Sequence, residues 1–154
     1  MSRINIDLLI LDFDGVLTDN RVYVTQNGEE AVACHRGDGW GIHLLQEAGI
    51  EVVILSTERN PVVSVRAKKL GIECKQNCSD KAAATQEMIG LRALSRDTVM
   101  YVGNDTNDVS AMALVGHPVA PADAHPDVLK IAKIVTQAKG GYGVVRELAD
   151  TLLR

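Results

Sequence analysis

The chain has 154 residues, 46% hydrophobic and 23% charged, which suits one domain over residues 1–154 with a substantial buried core. A formal net charge of -4 provides no basic field for nucleic acid or an anionic membrane, and an aromatic content of 3% argues against base-stacking platforms. An anionic substrate must therefore be held by local groups.

No apolar run approaches the roughly 18 residues of a membrane span, and the opening MSRINIDLLIL lacks the pattern of a secretory signal. Cys34, Cys74 and Cys78 cannot all pair within one chain, so the expected compartment is the reducing cytoplasm. Cys74 and Cys78 form a single C-x3-C with no second pair, and they read as structural residues rather than zinc ligands.

In chain order, short apolar runs alternate with helical patterns. Residues 6–11, 51–56, 72–75, 98–103, 117–120 and 133–136 read as strands. The first, second and fourth are nearly continuous apolar, as parallel strands covered on both faces should be. Residues 21–36, RVYVTQNGEEAVACHR, interrupt the alternation with two strand-like runs around Asn27-Gly28. That dipeptide is a hairpin turn signal, so the segment is expected to leave the sheet as a small flap.

Residues 40–49 read as a helix closed by Gly49, and 60–71 as one capped by Asn60, with Pro61 at its first position and Gly71 at its stop. Residues 79–90 form a helix with Ser79 as its cap, followed by helices over 107–116 and over the YGVVRELADTLL tail. This pattern predicts an α/β fold, three layers around a mainly parallel sheet, with the hairpin flap and no large cap domain.

The acidic stretch LDFDGVLTDN follows the first strand directly. Two carboxylates about 4 Å apart repel by roughly 4 kcal/mol at an effective dielectric of about 20, so either Asp12, Asp14 and Asp19 point to different places in water or something cationic sits among them. A spacing of two puts both side chains on one side, with Phe13 facing away. Ligands of open α/β sheets bind beyond the carboxyl ends of the strands, and polar residues gather at four such ends. Asp12 and Asp14 follow the first strand, and Ser56 and Thr57 end the second. Lys81 opens the helix after the third, and Asn104, Asp105 and Asp108 follow the fourth.

These residue types suit phosphoryl transfer. One carboxylate can attack phosphorus and a second can act as acid and then base. Mg²⁺ takes hard oxygen ligands, and a hydroxyl and an ammonium can hold the remaining phosphoryl oxygens. Lys81 opposes the helix dipole unless an anion binds there. Asp19 reads as a local turn acceptor.

With its motifs DFDGVLTD, VVILS, SDK and GNDTND, the chain resembles the haloacid dehalogenase superfamily. Within it, DGVLTD, VYVTQNGEE, RGDGWGIHLLQEAGIEV and GGYGVVREL are similar to a small-flap group. That group holds the 3-deoxy-D-manno-octulosonate 8-phosphate phosphatases and the related domain of acylneuraminate cytidylyltransferases. The resemblance implies a Mg²⁺-dependent sugar-phosphate phosphatase with a Rossmann-like core. Asp12 would be nucleophile and metal ligand, and Asp14 the acid/base that lends its carbonyl to the metal. Ser56, Thr57 and Lys81 would bind phosphate, Asn104 or Asp105 would be the third metal ligand, and Asp108 would support them.

It further implies a homotetramer whose flaps pack together and whose glycine-rich tail closes a neighbour's site. Arg36, Asp38, Gly39, Gly140, Gly141 and Arg146 are then candidates for substrate contact. The chain departs from the octulosonate phosphatases at the second motif, where it reads STERN rather than T-G-R, and it carries Asn104 where many relatives have Asp. Both octulosonate and acylneuraminate phosphates stay open as substrates. The rival reading is a non-catalytic oligomerisation module associated with sialic-acid-type sugar activation. Such a module has no need to keep Asp12, Asp14 and Lys81 together.

Overall fold

The computed structural model describes residues 4–154. Its strands are β1 (Leu8–Leu11), β2 (Tyr23–Val24), β3 (Glu30–Ala31), β4 (Glu51–Leu55), β5 (Glu73–Lys75), β6 (Val99–Val102), β7 (His117–Ala120) and β8 (Ile134–Val135). Six of them form one parallel sheet in the order β5-β4-β1-β6-β7-β8. The apolar runs explain why. Alternate residues of β1, β4 and β6 enter opposite layers, Leu9, Leu11, Val52, Ile54, Met100 and Val102 on one face and Leu8, Ile10, Val53, Leu55, Val99 and Tyr101 on the other. Each fully buried aliphatic side chain contributes about 1.5–3 kcal/mol, so both layers hold the centre of the sheet.

The helices are α1 (Arg36–Glu47), α2 (Val62–Leu70), α3 (Lys81–Leu91), α4 (Val109–Met112), α5 (Pro126–Ile131) and α6 (Val144–Leu152). The amphipathic α6 buries Val144, Val145, Leu148, Ala149 and Leu152 against α1 and the sheet. Gly41 makes the close approach to α1 possible, because a Cβ there would stand 2.9 Å from Arg146 Cα.

Four sequence expectations are corrected locally. Helix α1 starts at Arg36, not at residue 40, because His35 caps it by accepting from Gly37 N–H, and Gly37, Gly39 and Gly41 dilute the apolar periodicity of its first turns. Helix α2 starts at Val62, although Asn60 does cap, with Oδ1 accepting from Val62 N–H at 3.0 Å. Asp80, not Ser79, caps α3, its Oδ1 accepting from Ala83 N–H at 2.9 Å. Of the helix expected over 107–116, only Val109–Met112 is α-helical, preceded by a 3₁₀ turn over Thr106–Asp108 whose ends Asp105 and Asp108 cap reciprocally.

The flap is a two-stranded antiparallel hairpin of β2 and β3. Gly28 takes φ +82° at its turn, and Thr18 bridges to Cys34 at its base. The sheet order positions everything else. From β1 the chain winds to β4 and β5 on one side, then returns to β6, β7 and β8 on the other. The reversal lies beside β1, with Leu11 paired to Val102.

Candidate active site

The register at that reversal sets the residues after β1 and β6 side by side, and Asp12 N–H donates to the Val102 carbonyl at 3.0 Å. Asp12, Asp14, Asn20, Ser56, Thr57, Asn104, Asp105 and Asn107 line a small cavity of about 130 Å³ there. A second cavity of about 260 Å³ shares Asp14 and Asn20 and extends under the flap past Arg21, Glu30 and Glu58. A larger cavity, about 300 Å³ between Ile4 and Leu153, carries no comparable chemistry, so the donor set rather than size marks the site.

At the centre is a buried ionic network. Lys81 Nζ donates to Asp12 Oδ1 at 2.9 Å and to Asp108 Oδ1 at 2.8 Å, and the three residues are 2%, 6% and 0% exposed. Tyr101 Oη also donates to Asp108 Oδ1, at 2.8 Å, while Asp108 Oδ2 accepts from the backbone N–H groups of Asn104 and Asp105. Asp108 is thereby saturated, and it anchors the loop after β6 and the ammonium of Lys81 together. Tyr101 belongs to this site and was missed in the sequence. Its signal was a phenol in a strand covered on both faces, which must find a partner.

The electrostatics follow from one cation among several carboxylates. Burial first, then Asp108, pushes Asp12 up to about 7 against the pull of Lys81. A divalent cation beside Asp12 would act in the opposite direction and favour the ionised carboxylate. Burial works against the Lys81 ammonium, but Asp12 and Asp108 outweigh it and hold its pKa above the usual value. Burial and then Glu58 hold Asp14 above the ordinary carboxylate range, as suits an acid. Burial, then Asp108, keeps the Tyr101 phenol neutral.

Among the described residues, no three His, Cys, Asp or Glu side chains are clustered to hold a metal ion. The oxygens that could do so are of mixed kind. One arm of the Asn104 amide stands 2.7 Å from Asp12 Oδ2 and 2.9 Å from the Asp14 carbonyl oxygen. Oxygens on one edge of an octahedron around Mg²⁺ are about 3.0 Å apart for bonds near 2.1 Å, so the spacing is close to what such an ion needs. Asp105 lines the same cavity, but its Oδ1 accepts from Thr106 N–H at 2.7 Å. Asn104, rather than Asp105, is the residue aimed between Asp12 and Asp14.

Ser56 Oγ accepts from Glu58 N–H at 3.0 Å, which leaves its hydroxyl hydrogen for the cavity. Glu58 is turned into its own loop, with Oε1 accepting from the N–H groups of Arg59 and Asn60. Arg59 donates to Asn77 Oδ1. Asp19 accepts from Arg21 N–H at 3.0 Å, the local turn role expected of it.

Within one chain, the structure does not bring Arg36, Asp38, Gly39, Gly140, Gly141 or Arg146 to the lining of this cavity. Asp38 as a substrate contact is corrected: it is 1% exposed, and its Oδ1 accepts from the N–H groups of Val145 and Arg146, so it caps α6. Arg146 Nε donates to Asp150, and Gly39 lies near Leu70 and Arg66. Gly140 and Gly141 pack closely against the loop that follows β1. A Cβ on Gly140 would lie 2.0 Å from the Gly15 carbonyl oxygen, and one on Gly141 would lie 2.3 Å from Asp19 N.

Three comparisons bear on this geometry. The haloacid dehalogenase-like hydrolase family profile matches residues 63–148. The 3-deoxy-D-manno-octulosonate 8-phosphate phosphatase of Yersinia pestis is 43% identical over 150 residues, 97% of this chain and 80% of that protein, and its crystal structure superposes with a TM-score of 0.94 over 98% of this chain and 82% of that one. The corresponding phosphatase of Moraxella catarrhalis, solved with magnesium ion, phosphate ion and a KDO molecule, is 28% identical with a TM-score of 0.94, covering 98% of this chain and 87% of that one.

Proposed function

The chain belongs to the haloacid dehalogenase-like hydrolases, and from that premise we propose that it is a Mg²⁺-dependent phosphatase of a small acidic sugar phosphate. The substrate is of the 3-deoxy-octulosonate 8-phosphate or acylneuraminate 9-phosphate type, and an aspartyl-phosphate forms on Asp12. The observation that carries this reading is the buried Asp12–Lys81–Asp108 network opening onto a cavity that also holds Asp14, Ser56 and Asn104. A non-catalytic module gains nothing from burying it, since the desolvation of such a network can exceed its Coulombic return.

The Asp12 carboxylate attacks phosphorus, and the bond to the sugar oxygen breaks. Asp14 protonates that oxygen as it leaves, then takes a proton from the water that attacks the aspartyl-phosphate, releasing inorganic phosphate and restoring Asp12. Lys81 and the Ser56 hydroxyl hold phosphoryl oxygens, with Thr57 beside them. The metal would be held by Asp12, the Asp14 carbonyl and Asn104, and when bound it supplies charge stabilisation to the phosphoryl oxygens. The flap cavity beside Asp14 takes the leaving sugar. Glu58 also lines that cavity, with its Oε1 occupied by the N–H groups of Arg59 and Asn60.

Val22, Tyr23 and Val24 are 51%, 63% and 65% exposed on the flap. This supports a homotetramer in which flaps pack together, leaving Arg36, Gly39, Arg146 and the Gly140-Gly141 tail to contribute to a neighbour's site. No helix among the described residues is long and apolar enough to cross a membrane, and the proposed compartment is the cytoplasm.

Phosphate release from a panel of sugar phosphates, with Mg²⁺ and with chelator, tests the reading. Turnover is expected only with the metal, and Asp12→Asn is expected to abolish it. Turnover that survives Asp12→Asn would refute the covalent mechanism, and a folded protein that neither binds Mg²⁺ nor turns over any member would favour the module.

A further inference from the structure

Asn104 is 9% exposed and fixed at its backbone from two sides. Its N–H donates to Asp108 Oδ2 at 3.0 Å, and its carbonyl accepts from His125 N–H at 2.8 Å. Its amide also lies close against Gly15, where a Cβ would stand 2.0 Å from Nδ2. The side chain can therefore turn its amide over without leaving its place, and the two orientations have opposite chemistry. With nitrogen toward Asp12 and Asp14, the amide donates to Asp12 Oδ2 at 2.7 Å and to the Asp14 carbonyl at 2.9 Å. With Oδ1 toward them, three oxygens converge, an arrangement that a cation holds together and that is repulsive without one.

We propose that Asn104 is a self-competing metal ligand. In the metal-free protein its NH₂ bridges Asp12 and Asp14 in place of the cation, and the metal enters as the amide turns over to present Oδ1. The inference rests on the metal reading above and goes beyond it. Loading must break two hydrogen bonds that a carboxylate at this position would never form, and an amide returns one unit less charge to the ion. The site is therefore built to tolerate the metal-free state and to release its ion readily. An aspartate here would bind more tightly and leave an uncompensated carboxylate whenever the ion departed.

Calorimetric titration of the full chain with Mg²⁺ alone, wild type against Asn104→Asp, tests this together with melting in chelator. The variant is expected to bind Mg²⁺ at least tenfold more tightly, to melt several degrees lower in chelator, and to gain more on Mg²⁺ addition. Affinities within threefold of each other with equal melting in chelator would overturn the proposal. Should Asn104→Asp fail to fold, the wild-type protein still decides. The side-chain ¹⁵N–¹H₂ resonances of Asn104 should move from hydrogen-bonded to unbonded positions as Mg²⁺ saturates, and resonances that stay fixed while the ion binds would overturn it. Absence of Mg²⁺ binding in both proteins would instead overturn the metal reading, and this inference with it.

Discussion

Helix α3 carries a cation at each end, and each cation binds two carboxylates. At its first residue Lys81 holds Asp12 and Asp108 with all three side chains at most 9% exposed, whereas at its C-cap Arg92 holds Glu51 and Glu73, which are 48% and 56% exposed. Arg92 follows every rule for stability. It is bidentate on Glu51, with contacts of 2.9 and 2.6 Å, it bonds the Met88 carbonyl, and its charge suits the negative end of the helix. Lys81 breaks those rules: it is buried, and it sits at the positive end of the dipole. The same count of charges thus makes a fastening at the amino end of the sheet and a reactive site at the carboxyl end. Burial and an anion to be bound are what separate the two.

That contrast can be tested by removing each cation. Lys81→Met leaves Asp12 and Asp108 facing each other without compensation. Stability in chelator should fall by about 3–5 kcal/mol, as when one member of a buried pair is deleted, with turnover lost. Urea denaturation and phosphate release measure the two, and a loss below about 1 kcal/mol would mean the inner network is no more consequential than an exposed pair.

Tyr101→Phe removes one hydrogen bond to Asp108 and keeps the ring, so about 1–2 kcal/mol and a several-fold drop in turnover are expected. Unchanged turnover would detach Tyr101 from the site.

Arg92→Ala should cost about 0.5–1 kcal/mol, shrink further in high salt, and leave turnover alone. The hydrogen bond from Arg92 holds Glu51 below the usual carboxylate range. Its contribution is therefore complete above the ordinary pKa of about 4 and lost as acid protonates the folded chain. The penalty of Arg92→Ala should accordingly fade on acidification below pH 4, and a penalty that persists there would show that Arg92 acts through the Met88 carbonyl instead.

The sheet was legible because its central strands are apolar on both faces, which only a covered parallel strand requires. The ends of its helices were less so. The α1 start was hidden by Gly37, Gly39 and Gly41, of which the Arg146 backbone demands Gly41, and the α3 cap passed from Ser79 to the neighbouring Asp80, a choice between two good caps that local sequence does not rank. Asp12, Asp14, Ser56 and Lys81 could be read because strand ends collect ligand-binding residues. Asp38 was a substrate candidate through the family resemblance alone, and only the packing of α1 on α6 reveals it as a cap across 107 residues of sequence. Tyr101 was hidden by its apolar neighbours.

The central place of β1 also bears on how the molecule can come into being. Its partners lie far along the chain: Leu8 pairs with Glu51 on one side and with Val99 on the other. Contacts of such sequence separation slow folding, because the loops between must close first. A nascent chain on the ribosome displays its acidic loop early, but it cannot lay β6 beside β1 until Val102 has emerged, or bring Asp108 to Lys81 until Asp108 has. Until then the apolar β1 has an uncovered edge, the kind of exposed strand that invites aggregation. Strand β1 is thus synthesised well before either of its partners can secure it, and competence for chemistry arrives together with the closing of the sheet.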